Sequence, residues 1–151
     1  MLRVCMMCAL LWVLAVGARA QQACPWLTEG TAATLLGGPV ASDVHAPSAS
    51  EGSCVFTRGV ERDAIVLRIE AGKVTVTECA AGEALRGIGD EAWRCAMDTG
   101  GEHREVIRGR VRATKILLML TVRGGGTKLL SRDVQRSAVE QAAEEVAGSL
   151  F

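Results

Sequence analysis

The chain of 151 residues contains no asparagine, only two histidines and only three lysines against 14 arginines. Without asparagine there is no N-glycosylation acceptor. His45 and His103 lie in a Ser/Ala/Pro loop and near a turn, and both are expected at the surface. Neither is spaced from another side chain in a pattern that suggests a metal centre or a catalytic triad. No G-x-S-x-G and no H-E-x-x-H occurs. Long apolar runs are scarce as well. Beyond the N-terminus the greasiest stretch is 116–122, far short of the roughly 20 residues a spanning helix needs.

The first twenty residues have the three parts of a secretory signal peptide: Arg3, an apolar run over 4–16, and the small-x-small site Ala18-Arg19-Ala20. Cleavage after Ala20 is expected, with export to the periplasm or the medium. Lipoprotein anchoring at Cys24 fits poorly, because Gln21 and Gln22 precede it where small or apolar residues are needed. The Cys5/Cys8 pair sits inside the apolar run and leaves with it. The cut also takes Arg3 and Arg19, leaving 15 basic against 17 acidic residues, so no overall positive field favours nucleic acid. The arginine and alanine bias is that of a high-GC bacterial coding sequence.

The remaining residues, 21–151, suit one domain with its own core. Cys24, Cys54, Cys79 and Cys95 are an even set in an exported chain, which reads as two disulfides with three pairings open. Cys24–Cys54 and Cys79–Cys95 are favoured, because each would join neighbouring elements. Zinc is disfavoured, since the spacings of 30, 25 and 16 contain no close ligand pair.

Hydrophobic periodicity orders the chain. Residues 26–37 read as a short helix capped by Thr28 and stopped by Gly37-Gly38-Pro39. Residues 40–53, rich in Ser, Ala, Pro and Gly, read as a loop. Strands are expected at 54–58, at 64–70 with Ile65, Leu67 and Ile69 on one face, at 74–77, weakly at 80–85, and at 91–97. Another is expected at 103–108, then a hairpin turn at Gly109-Arg110, then a long strand over 111–122, apolar on both faces and therefore central. Gly124-Gly125-Gly126 reads as a flexible connection. Residues 130–150 read as the longest helix, capped by Ser131, with Val134, Ala138, Val139, Ala142, Val146 and Leu150 as its apolar stripe. The order implies an α+β domain: an antiparallel sheet with a short N-terminal and a long C-terminal helix on one face.

Gly87-Ile88-Gly89-Asp90-Glu91-Ala92 matches the G-x-G-x-x-A outline of a dinucleotide loop. Such a loop needs a strand before it and a helix after it. Here Trp93-Arg94-Cys95-Ala96-Met97 follows and is strand-like, so Gly87 and Gly89 are expected to serve a tight bend and Asp90 to hydrogen-bond the backbone of that turn. The motif resembles one found in small exported bacterial cell-envelope proteins of unknown function with a PsbP-like α+β fold. Cys24-Pro25-Trp26-Leu27 ahead of a helix ending Leu35-Leu36-Gly37-Gly38, and Gly52-Ser53-Cys54-Val55-Phe56 opening a strand, are similar to the same group. The resemblance implies that fold and a Cys24–Cys54 bond. It brings no catalytic residues, and the Cys79/Cys95 pair departs from it.

One constellation invites a ligand. Arg104, Arg108, Arg110 and Arg112 are separated by even numbers of positions, so one continuous strand would present all four on one face as a ladder for an anion. A turn at Gly109-Arg110 would break that ladder. Asp90 and Glu91 are neighbours on opposite faces and make no acid/base pair. The expected function is a non-enzymatic cell-envelope module that binds an unknown envelope protein or an anionic small ligand. No cofactor, no metal and no transmembrane segment is expected in the mature chain. The alternative is a small periplasmic hydrolase using His103 with Asp90 and the arginines. A purely structural envelope protein is a third reading.

Overall fold

The computed structural model describes residues 22–74 and 82–151. The signal-peptide reading of 1–20, nearly all of the strand expected at 74–77, and Cys79 lie outside the described residues.

Helix α1 spans Glu29–Leu35. Thr28 Oγ1 accepts from the Thr31 amide at 3.1 Å, as the sequence predicts. The Gly38 and Gly37 amides donate back to Ala33 O at 2.8 Å and Thr34 O at 3.2 Å, the paired bonds that close a helix end on a glycine. Ahead of the helix, Trp26 and Leu27 are buried. Cys24 is disulfide-bonded to Cys54, with a Cα–Cα separation of 5.9 Å. This staples the N-terminal segment to the sheet. Closing a loop of this length stabilises by about 3–4 kcal/mol in the chain-entropy account. Cys95 is disulfide-bonded as well.

The sheet is antiparallel, with seven strands in the order β1-β2-β3-β7-β6-β5-β4. The strands are β1 Ala41–Ser48, β2 Glu51–Arg58, β3 Ile65–Gly72, β4 Glu83–Leu85, β5 Glu91–Thr99, β6 Glu102–Val111 and β7 Thr114–Arg123. Two meanders, β1-β2-β3 and β4-β5-β6-β7, are joined where β7 pairs with β3. That puts β7 at the centre, which its Ile116-Leu117-Leu118-Met119-Leu120 run requires.

Two sequence expectations about the strands fail here. Residues 40–53 are not a loop, because β1 occupies most of them. As an edge strand β1 buries only Ala46, so it carries no apolar alternation to betray it. Gly109-Arg110 is not a turn either. Strand β6 runs through both residues, and the turn falls at Arg112-Ala113, between the paired Val111 and Thr114. A Cβ on Gly109 would stand 2.7 Å from the Glu91 carbonyl oxygen, so glycine is there to let β5 approach.

The expected Gly124-Gly125-Gly126 connection is a turn at its first two residues, and helix α2, Gly126–Leu129, begins at the third. Asp63 Oδ1 takes the Gly125 amide at 2.7 Å and anchors it. Helix α3, Arg132–Leu150, packs across β6 and β7 and against α1. Ser131 precedes it but makes no side-chain cap. Its buried stripe is Gln135, Ala138, Val139, Ala142, Ala143, Val146 and Ala147. The stripe is rotated from the expected one, so that Val134 is exposed and Gln135 is buried. Most of the buried stripe is alanine, which lets the helix lie close to the sheet. The main core, with Phe56, Ile65, Leu67, Ile69, Leu118 and Leu120, fills the space between sheet and helices. A smaller cluster of Val74, Val106 and Leu117 lies on the opposite face.

Candidate functional site

The two faces of the sheet hold different chemistry, and parity along β6 assigns it. Ile107 and Val111 join the main core under α3, so His103 and Glu105 share their face. Val106 joins the smaller cluster, so Arg104, Arg108 and Arg110 share the other face, called the open face below. The expected ladder therefore keeps three of its four members. Arg112 leaves it: it sits in the β6–β7 turn with φ 55°, and its guanidinium lies 5.6 Å from the Phe151 ring centroid.

The three remaining arginines are not equivalent. Arg104 donates to Glu102 at 3.1 Å, and Glu102 is also held by Arg123 at 2.6 Å. Arg104's hydrogen bond, helped by Arg123's charge, keeps the Glu102 carboxyl below the ordinary carboxylate range. Arg110 Nε donates to Glu91 at 2.9 Å and its Nη1 to the Arg112 carbonyl at 3.1 Å. Glu91, with a smaller contribution from Asp90, raises Arg110 above its usual value. Arg108 is different. Its guanidinium lies over Trp93, 5.6 Å from the ring centroid. Its Nε is buried without a hydrogen-bond partner. Among the described residues no carboxylate pairs with it.

Register explains this inequality and adds residues that the spacing of the arginines does not reveal. One cross-strand row of the open face is Glu91–Arg110–Lys115, and the next is Trp93–Arg108–Leu117. Glu91 falls opposite Arg110 and takes it, whereas Arg108 faces a ring on one side and a leucine on the other. A pocket of about 400 Å³ opens over these two rows, with Val74, Trp93, Arg108, Arg110 and Lys115 among its lining. Lys115 is exposed, and among the described residues it has no ion-pair partner.

The glycine motif supports this pocket from the side. Gly87 and Gly89 have φ of 86° and 59°, the positive values a tight bend needs. Ile88 plugs into the core between them. The Asp90 amide donates to the Arg110 carbonyl at 2.8 Å, and Asp90 Oδ2 accepts the Arg112 amide at 2.6 Å. Asp90 thus pins the neighbouring β6–β7 turn rather than its own. The segment after the motif is strand β5, not the helix that a dinucleotide loop requires.

On the helix face a second polar constellation joins the sheet to α3, with His103 and Glu105 buried and Asp98 and Arg132 exposed. His103 is buried, 3% exposed, contrary to its expected place at the surface. Its Nδ1 is 2.9 Å from Asp98 Oδ1, and its Nε2 is 3.1 Å from Glu105 Oε1. Arg132 of α3 donates two bonds to Asp98, at 2.9 and 3.1 Å. The Arg132 fork, and then His103, hold the Asp98 carboxyl below its ordinary value. Further along β5, Arg94 is 8% exposed and paired with Glu83 and with Glu140 of α3. These groups tie the helix to the sheet. His45 sits apart on the exposed edge strand, 3.3 Å from Asp43.

Among the described residues no three His, Cys, Asp or Glu side chains are arranged to hold a metal ion. No described helix is long and apolar enough to cross a membrane. No protein-family model matches the chain, and no curated protein matches it in sequence.

Proposed function

We propose that this chain is an exported bacterial envelope protein that binds an anionic ligand on the open face of its sheet and does no chemistry on it. The observation that carries the reading is Arg108, a half-buried guanidinium with no carboxylate partner among the described residues, in a pocket beside Lys115. On the same strand face Arg104 and Arg110 are paired with acids, whereas Arg108, whose Nε is buried, lies against Trp93 instead. Export is supported by the signal-like N-terminus and by the Cys24–Cys54 disulfide, a bond that persists in oxidising compartments. A Cys24 sulfur held by Cys54 is not free for a lipid thioether, which favours a soluble protein over a lipoprotein. Kinship with the PsbP-like envelope proteins belongs to the same proposal and rests on the Gly87–Ala92 motif.

The hydrolase alternative draws no support from His103. Both ring nitrogens are engaged by carboxylates and the ring is buried, so neither nitrogen is left to take a proton from a nucleophile. Thermal-shift measurements with phosphate, sulfate, acetate and benzoate test the proposal. At least one anion should raise the melting temperature in the wild type and not in Arg108→Gln. A melting temperature that none of these anions moves would remove the anion site.

A further inference from the structure

We infer that the ligand of this pocket is a soluble phosphate monoester carried on an apolar, flat organic body. The inference rests on the anion-binding reading above and deepens it.

The first argument is charge. Glu91 and Asp90 already serve Arg110. Arg108 and Lys115 are left as two cations with no carboxylate partner among the described residues, standing on adjacent rows of one face. A monocarboxylate would neutralise one of them. A phosphate monoester carries close to two negative charges at neutral pH, because its second pKa is about 6.

The second argument is geometry. A guanidinium presents a planar fork that takes two oxygens at once, and an ammonium is a point charge that needs one more. A carboxylate that takes the fork on both oxygens can meet Lys115 only by sharing one of them, as Asp98 Oδ1 is shared by Arg132 and His103. A phosphoryl group has three terminal oxygens, enough for the fork and Lys115 together.

The third argument is the wall. Trp93 and Val74 line the same pocket. The guanidinium of Arg108 lies over one ring already, and its outer face can take a second flat group. Bare inorganic phosphate would leave this apolar surface wet. Glu91 at the rim sets the other limit. Its negative charge in the lining disfavours a ligand that carries a second phosphate. A lipid phosphate offers the same headgroup chemistry. The acidic excess of the mature chain opposes approach to an anionic bilayer, so the soluble form is the one inferred.

Titration calorimetry on the disulfide-intact protein decides it, with phenyl phosphate as the probe and benzoate, inorganic phosphate and phenol as comparators. Phenyl phosphate should bind about tenfold or more tighter than each comparator, the effect of one good charge-assisted hydrogen bond. Arg108→Gln and Lys115→Gln should each weaken it by about tenfold or more. Lys115 is exposed, so its variant tests the site without risk to folding. Arg108→Lys, which keeps the charge and loses the fork, should not restore full affinity. Benzoate binding as tightly as phenyl phosphate, or a Lys115→Gln variant that binds phenyl phosphate normally, would overturn the inference and leave the simpler anion site standing. If no anion gives heat, both readings fall. Co-sedimentation with phosphatidic acid vesicles, in the absence of any heat from phenyl phosphate, would overturn the soluble form.

Discussion

Arg94 on β5 and Arg108 on β6 are one register step apart, since Arg94 pairs with Ile107, yet they face opposite sides of the sheet. Arg94 points under α3, is almost fully buried, and is met by two carboxylates from two other elements. Arg108 points to the open face, is half-buried, and is met by an indole ring. Both side chains have given up part of their hydration, but only Arg94 is compensated by charge. A buried cation left unpaired is costly, and on the helix face Arg94 is paired, although Glu105 Oε2 and Gln135 Oε1 there are buried without a hydrogen-bond partner. On the open face Arg108 and Lys115 have no carboxylate partner among the described residues, and Arg108 is the half-buried one. That difference between the faces is the reason for reading one as scaffold and the other as site.

The comparison is broken most sharply at β7, where neighbours face opposite ways. Leu118 lies in the main core at 0% exposed, and Leu117 lies on the open face at 7%. Leu118→Ala should cost about 3–4 kcal/mol, because the cavity it leaves is enclosed by packed core. Leu117→Ala should cost about 2 kcal/mol, since its cluster is small and can adjust. Urea unfolding of both variants measures the difference, and equal losses would mean that the open face is as much core as the other. Next in size is Arg94→Met. Removing one member of a fully buried pair costs about 3–5 kcal/mol. Here the Glu140 and Glu83 side chains are 32% and 66% exposed and can rehydrate, so about 2 kcal/mol is expected. Arg108→Gln should change stability by less than about 0.5 kcal/mol while abolishing the anion-induced thermal shift. If Arg108→Gln destabilises the protein as much as Arg94→Met does, Arg108 is a structural residue and the distinction collapses.

Much of the scaffold was legible because it depends on local rules. The Ile65, Leu67, Ile69 alternation marked β3, and Thr28 with Gly37-Gly38 marked both ends of α1. The failures have a common cause, which is that the deciding contact is distant in sequence. Gly109 looks like a turn residue until the Glu91 carbonyl is placed against it. Val134 looks like helix stripe until the sheet sets the rotation of α3 and draws in Gln135, whose amide bonds the Leu130 carbonyl at 2.6 Å. The site divides in the same way. Even spacing put Arg104, Arg108 and Arg110 on one face, and that needs only strand parity. Glu102, which claims Arg104, lies two residues away on the same strand, but the carboxylate that claims Arg110, and the placing of Trp93 and Lys115 beside Arg108, depend on the registers of β5–β6 and β6–β7, which no spacing within one strand contains.

The smallest effect expected is a change in acid sensitivity on the helix face, and its sign follows from Asp98. The Arg132 hydrogen bonds, and then His103, lower this carboxyl below its ordinary value of 3.8. A carboxyl whose folded value is depressed adds stability that is fully present above the unfolded value and is lost as pH falls through the folded one. Asp98 therefore contributes at neutral pH, and its contribution fades below about pH 4. Asp98→Asn removes the titration and keeps a group of similar shape. The variant should be slightly less stable than wild type at pH 7, and the gap should close as the pH drops below about 4. Arg110, paired on the open face with Glu91, serves as the contrast: Arg110→Gln should leave the Asp98 part of the acid limb unchanged. Thermal melts of wild type and both variants across that range supply the test. A gap between wild type and Asp98→Asn that stayed constant down to the most acidic pH would mean that Asp98 acts by packing rather than by charge. The charged part of the tie between α3 and the sheet would then rest, among the described residues, on Arg94 and Glu140, beside the apolar packing of the helix.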